Sequence, residues 1–243
     1  AWIALARHLG LAALSGAVAG ILVGGVLGRI AMRISGFAAG PALAGVSTAN
    51  GERVGDITFG GTLALMILVG LPFGVVGGVL YAIVEPWLRR ARPWHGVAYG
   101  AGLLLATGFF VLDPSNFDFT RFGPPLLNVA MFAALFLIFG VTIAWLFDGL
   151  RALRDGSGRA ARITDILAWL SLVPTVIVVM LFVGGTAGLD PLLAILVAAV
   201  LLVPAIVRWR GLPRAIGYAS LAGVVLFGAA RTLSGLPGLL RGF

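Results

Sequence analysis

Between Asp56 and Glu85 run 28 consecutive residues without a single charge. About 20 apolar residues suffice to cross the hydrocarbon core of a bilayer as a helix. Uncharged runs recur along the whole chain, over residues 9–28, 57–84, 96–112, 124–147, 166–189, 191–207 and 215–230. The last run is the weakest, near the lower length limit for a span. Between the runs there is too little polar sequence to cover a surface in water: charged residues make up 11% of the chain, against roughly a quarter in a soluble domain. The mean hydropathy is +1.08. The expected fold is therefore an all-α polytopic transmembrane helix bundle of about seven spans.

The polar joints between the runs suggest an organisation. Residues 1–151 form a four-span, glycine-rich bundle, 152–162 a basic cytoplasmic linker around Asp155-Gly156-Ser157-Gly158, and 163–243 a three-span bundle; the whole is also readable as one membrane domain. The first apolar run is too long, and passes into arginine too abruptly, to read as a cleavable signal peptide.

Arginine placement gives an orientation. All 17 basic residues are arginine. Counting alternate loops puts Arg7, Arg89, Arg90, Arg92, Arg151, Arg154, Arg159, Arg162, Arg208, Arg210 and Arg214 on one side. Arg29, Arg33, Arg53, Arg121, Arg231 and Arg241 fall on the other. The richer side is cytoplasmic by the positive-inside rule, so the N-terminus is expected inside and the C-terminus outside, in the plasma (inner) membrane of a bacterium. Trp87, Trp94, Trp145 and Trp209 lie near cytoplasmic span ends, as interfacial anchors do.

Glycine spacing points to packing. Gly16, Gly20, Gly24 and Gly28 recur every fourth residue in the first span, and Gly70, Gly74 and Gly78 in the second. Residues four apart share a helix face, and small ones let two backbones approach closely. The pentapeptide Val-Gly-Gly-Val-Leu occurs at 23–27 and again at 76–80, a short match of the kind left by inverted repeats.

The polar residues offer few sites. Arg29 and Arg33 share a face on the helix leaving the first span. The segment from Asp113 to Pro125 mixes turn formers, charges and three phenylalanines at the same outer side. An anion- or lipid-binding cluster is expected there, built from Arg29, Arg33, Asp113, Asn116, Asp118 and Arg121, with Asn128 one turn into the fourth span. The alternative is an ordered structural loop, with the arginines reaching outer headgroups. Pro124-Pro125 opens the fourth helix, where a missing N–H costs nothing. Glu85 is expected to pair with Arg89 and the basic loop beyond it. His8 and His95, the only histidines, could together ligate a haem. Both lie at the membrane edge, so interfacial histidines and no cofactor or metal are the expectation.

Whole classes of chemistry are excluded. Without cysteine or lysine there is no thiolate chemistry and no Schiff base. No charged residue or histidine stands at the centre of a predicted span, where a proton relay needs one. Nucleotide-binding, zinc and nucleophile-elbow motifs are absent. Three roles remain, in order: a structural or accessory subunit of a larger membrane complex, a small transporter or channel, and an enzyme acting on lipid-linked substrate at the outer interface. Enzymatic activity is the least expected. Partners should be membrane lipids and other membrane subunits or further copies of the chain, not nucleic acid. A reporter enzyme fused after Asp155 should be active only in its cytoplasmic form; activity of a periplasm-dependent reporter at that position would reverse the orientation.

Overall fold

The computed structural model describes residues 2–40, 58–110, 112, 123–186 and 214–241. Among them the chain is entirely helical outside short joints, as hydrocarbon requires: a backbone that cannot bond to water must bond to itself. α1 (Trp2–Ala19) runs without a break through a π-helical stretch, Gly20–Leu27, into α2 (Gly28–Ala38). Gly40, at φ +83°, ends this rod in the left-handed conformation that glycine tolerates best.

The next rod begins where Thr58 accepts a hydrogen bond from Gly61 N–H on its side-chain oxygen, at 3.1 Å, an N-cap. α3 (Phe59–Ala64) passes through a second π stretch, Leu65–Gly70, into α4 (Leu71–Leu88), and a 3-10 turn, Arg89–Ala91, closes it. Pro72 explains the second widening. A helical proline lacks its N–H and crowds the carbonyl four residues back, here Leu68 inside the widened stretch. In the first rod the paired Gly24-Gly25 marks the weak point.

α5 (His95–Thr107) is short and ends in a 3-10 turn, Gly108–Phe110. α6 (Pro125–Asp155) starts with Pro125 in its first turn behind an extended Pro124, as expected from the sequence. α7 (Arg159–Thr186) and α8 (Arg214–Arg241) complete the described chain. α6 continues to Asp155 and α7 begins at Arg159, leaving only 156–158 as a joint, with Gly158 at φ +92°. Arg151 and Asp155, one turn apart, form an ion pair that favours helix outside the membrane.

Five helices among the described residues are long and apolar enough to cross a membrane: Ile3–Ala38, Phe59–Ala91, Pro125–Asp155, Arg159–Val179 and Leu221–Gly238. They correspond to the first, second, fourth, fifth and seventh expected spans. α5 matches the expected short third run but is shorter than these five, and the expected sixth, 191–207, lies outside the described residues. Their outer faces are apolar: Phe59 is 85% exposed, Leu181 70%, Leu226 69% and Val173 64%. Apolar surface so extensive belongs in lipid.

What holds the bundle together is backbone contact at glycine. α1 and α4 run antiparallel. A Cβ built on Gly16 would collide with the Gly74 carbonyl and lie 2.7 Å from Gly78 Cα, and one on Gly20 would collide with the Gly70 carbonyl and lie 2.6 Å from Gly74 Cα. Gly78 meets Ala12 and Ala13 in the same way. Gly24 is looser, 3.3 Å from Gly70 Cα, and Gly28 makes only ordinary contacts beyond 3.7 Å. Gly25 takes the close position instead, 2.5 Å from Met66 Cγ. The cause is the π stretch: its turns close five residues back, as the Gly28 N–H to Val23 carbonyl bond shows, so a face that repeats every four residues in an α-helix shifts by one.

A second glycine interface joins α5 to α6. Gly100 faces the Phe136 carbonyl at 2.5 Å, Gly96 faces Val141 Cα at 2.9 Å, and Gly140 faces Gly100 Cα at 2.6 Å, measured from ideal Cβ positions. α7 leans on α1 through Gly10 and Ala168, and α8 on α5 through Gly228 and Ala106. Leu11, Ala12, Tyr81, Ala82, Ile143, Phe147 and Ala168 fill the centre where α1, α4, α6 and α7 meet.

The contacts separate the glycines by consequence. Gly20→Val should destabilise the protein by about 2–3 kcal/mol through overpacking against backbone. Gly28→Ala should be neutral or stabilising by up to about 1 kcal/mol, since helix propensity improves at no steric cost. Thermal unfolding in mild detergent checks both, and equal loss from the two would contradict the α1–α4 crossing.

Candidate functional site

The antiparallel crossing sends the polar ends of the helices to two opposite poles. At one pole α2 meets the start of α6. Ser35 Oγ donates to Asn128 Oδ1 at 2.7 Å, and Asn128 is buried. Arg29 and Arg33 share this helix but not an environment. Arg29 is half-buried, with Nε and Nη2 enclosed. Arg33 is exposed, its guanidinium carbon 5.2 Å from the centre of the Phe37 ring. Asn128 and the two arginines therefore belong to one end of the bundle. Asp113, Asn116, Asp118 and Arg121 lie outside the described residues. Arg7 to Arg29 is 22 residues, about 33 Å of helix, close to the thickness of a bilayer core.

The other pole carries a denser network. Glu85 sits in the last turn of α4, 2% exposed. One turn on, Arg89 Nε donates to Glu85 Oε1, and Arg151 of α6 brings Nη1 to 3.6 Å of the same oxygen. Arg92, in the joint before α5, places Nη2 at 3.0 and 3.1 Å from the two oxygens of Asp148. His95 Nε2 is 3.4 Å from Asp148. Arg7 of α1 pairs with Asp165 of α7 at 3.1 Å, and Arg154 donates to its neighbour Asp155. Five helix ends are thus tied by arginine–carboxylate pairs. Arg89, Arg92, Asp148, Arg151, Ala152 and Asp155 surround a surface depression of about 600 Å³.

Beneath this layer lies an aromatic cluster. The rings of Tyr81 and Tyr99 meet edge to face at 5.1 Å, Tyr81 and Phe147 at 5.4 Å, and His8 and Phe147 at 5.2 Å. Tyr99 donates to the Gly77 carbonyl at 2.6 Å. The Tyr81 hydroxyl and Glu85 Oε2 are buried with no hydrogen bond among the described residues. The two histidines serve different helices: His8 Nε2 lies 3.3 Å from the Ala82 carbonyl, while His95 faces Asp148. Among the described residues no three histidines or carboxylates gather as a metal site.

Sequence reasoning paired Glu85 with Arg89 and the basic loop beyond it; Arg89 is there, but the second cation comes from Arg151 of α6, while Arg92 of the loop goes to Asp148. It missed Asp148 as the partner of Arg92 and His95, Arg151 as the second arginine on Glu85, and the Tyr81–Tyr99–Phe147 cluster. Local spacing carries no signal for partners 56 residues apart. Chemically, this pole offers cations held by carboxylates. Comparison with known protein families, with curated proteins and with solved structures gives no match.

Two tyrosines at the same depth should respond oppositely to loss of the hydroxyl. Tyr99→Phe should cost about 1 kcal/mol through its bond to Gly77, whereas Tyr81→Phe should be neutral or stabilising by up to about 1 kcal/mol, since it removes a buried unsatisfied group. Thermal unfolding of both variants in detergent is the measurement.

Proposed function

We propose that this chain is an accessory subunit of a larger membrane complex, a non-catalytic helical body around which other membrane helices assemble. The observation that carries the reading is where its polar side chains at membrane depth are directed. Ser15 bonds to the Leu11 carbonyl, Thr107 to Leu103, and Thr175 to Ser171, each on its own helix. The Ser171 hydroxyl lies 2.7 Å from the Gly10 carbonyl, across to α1. These hydroxyls are spent on backbone carbonyls, and Ser171 ties α7 to α1. The outer side of α8 presents small residues, Ala219, Ala222, Gly223 and Ala230, all exposed, of the kind that admit a neighbouring helix.

The rest of the proposal follows the arginine asymmetry. The chain sits in a bacterial plasma membrane with seven spans, its N-terminus and the Glu85–Arg151 pole in the cytoplasm and its C-terminus outside. Its partners are lipids and other membrane subunits or copies of itself. The outer pole gathers Arg29, Arg33 and Asn128 with Asp113, Asn116, Asp118 and Arg121 as an anion- or lipid-binding cluster. The Ser35–Asn128 bond, which brings the start of α6 to the arginine-bearing helix, supports this.

One observation favours a second reading, a small transporter. The π stretches of the two rods face one another, and such segments frequently mark functional positions in helices. The repeated Val-Gly-Gly-Val-Leu adds little: Gly25 opposite Met66 and Gly78 opposite Ala13 are related as any antiparallel pair would be.

Extraction in mild detergent followed by light scattering decides between the readings. The accessory role requires a particle well above the 25.1 kDa of the chain, with other polypeptides in fixed ratio. A monodisperse monomer that supports solute flux in liposomes would replace it with the transporter.

A further inference from the structure

We infer that the depression between Arg89, Arg92 and Arg151 is a binding site for a phosphate oxyanion, supplied by the headgroup of an anionic phospholipid. The inference rests on the membrane reading above and not on the accessory role. The three arginines come from three elements: the turn closing α4, the joint before α5, and the last turns of α6. They line one cavity of about 600 Å³.

Each guanidinium has five N–H donors, and few are used. Arg89 spends Nε on Glu85. Arg92 spends Nη2 on Asp148. Arg151 stands 3.6 Å from Glu85 and 3.8 Å from Asp155, too far for a hydrogen bond to either. The carboxylates lining the cavity are more fully occupied. Asp148 holds Arg92 on both oxygens with His95 beside it, and Asp155 Oδ1 accepts twice from Arg154. The unused capacity is therefore cationic donors, and its complement is an oxyanion. Phosphate fits the planar guanidinium fork best.

Two further features favour a lipid as the source. The buried Glu85 and the bidentate Asp148 fix Arg89 and Arg92 in place, so little side-chain entropy remains to be lost on binding. Trp94, two residues after Arg92, and Trp145, three residues before Asp148, are 69% and 73% exposed, and tryptophan concentrates at headgroup level. The cavity therefore opens where lipid phosphates lie, on the face that arginine counting places toward the cytoplasm.

The test is native mass spectrometry of the full chain in detergent with added phosphatidylglycerol, diacylglycerol or inorganic phosphate. The wild type should retain one phosphatidylglycerol and shed diacylglycerol, which has the tails without the phosphate. Arg92→Gln with Arg151→Gln should weaken retention about tenfold or more, the loss of one charge-assisted interaction or its equivalent. Arg90→Gln, exposed and outside the cavity, should leave it unchanged. Arg92→Lys with Arg151→Lys keeps the charge and guards against a folding defect; it should retain lipid at an intermediate level. Equal retention in wild type and the glutamine pair, in variants that unfold at the same temperature, would overturn the site. Retention of inorganic phosphate with no preference for the lipid would overturn the headgroup as its source. Neither result bears on whether the chain has protein partners, which light scattering reads separately.

Discussion

The rest of the molecule depends on two backbones touching. Where Gly16 and Gly20 of the first rod cross Gly70, Gly74 and Gly78 of the second, the helices are so close that a single methyl group on any of these residues would strike a main-chain atom. In water such an interface would be weak, because it buries little apolar area. In lipid there is no hydrophobic drive between helices, and close van der Waals contact becomes the principal attraction. The crossing also fixes the poles. Because the rods are antiparallel, the end of α4 that carries Glu85 and Arg89 must lie beside the end of α1 that carries Arg7 and His8. The opposite end of that rod carries Arg29 and Ser35 and meets the start of α6.

The π stretches lie at the same crossing. Glycine gives a helix little reason to hold its turn, and Pro72 removes one of the bonds that would. Two adjacent rods widen at the same level, and the widening shifts the contact line from Gly24 to Gly25, which meets Met66. A helix under such a shift still satisfies its backbone, through bonds five residues back. The interface is thus continuous across a change in helix type, and only Gly28, beyond the shift, is left without a close neighbour.

Features set by local physics were legible in the sequence; features set by distant partners were not. The apolar runs located the five long helices, Pro124-Pro125 located the start of α6, and the position of Glu85 at a span end beside basic residues pointed to Arg89. Along the fourfold ladders, Gly16, Gly20, Gly70, Gly74 and Gly78 leave no room for a Cβ while Gly28 makes only ordinary contacts, a difference set by where the helix widens, which a sequence does not disclose. Gly96 and Gly100 repeat the same spacing and were overlooked because their partner face holds a single glycine, Gly140. The short joint at 156–158 was obscured by polar composition: charged residues outside the bilayer read as linker, yet their one-turn pairing keeps them helical. For the outer cluster, only Arg29, Arg33 and Asn128 fall among the described residues. Ser35, which ties Asn128 to the arginine-bearing helix, carried no motif to announce it.

The distribution of charge limits what the bundle can do. Glu85 is almost wholly buried, and a buried carboxylate is tolerable only where cations reach it. Arg89 reaches it from one turn nearer the interface and Arg151 from the neighbouring helix. One turn deeper the polar side chain of α4 is Tyr81, and Ser15, Thr107, Ser171 and Thr175 are hydroxyls bonded to backbone carbonyls. A proton or ion carried across would ordinarily need a charged or titratable side chain at mid-bilayer, and the described spans hold none there. A transport role would have to rely on backbone polarity instead, and the place where backbone bonding departs from the α pattern at depth is the facing pair Gly20–Leu27 and Leu65–Gly70. The widened turns close five residues back, Gly28 N–H on the Val23 carbonyl and Leu71 N–H on the Met66 carbonyl, and glycine brings the two rods together at that level, Gly20 against the Gly70 carbonyl.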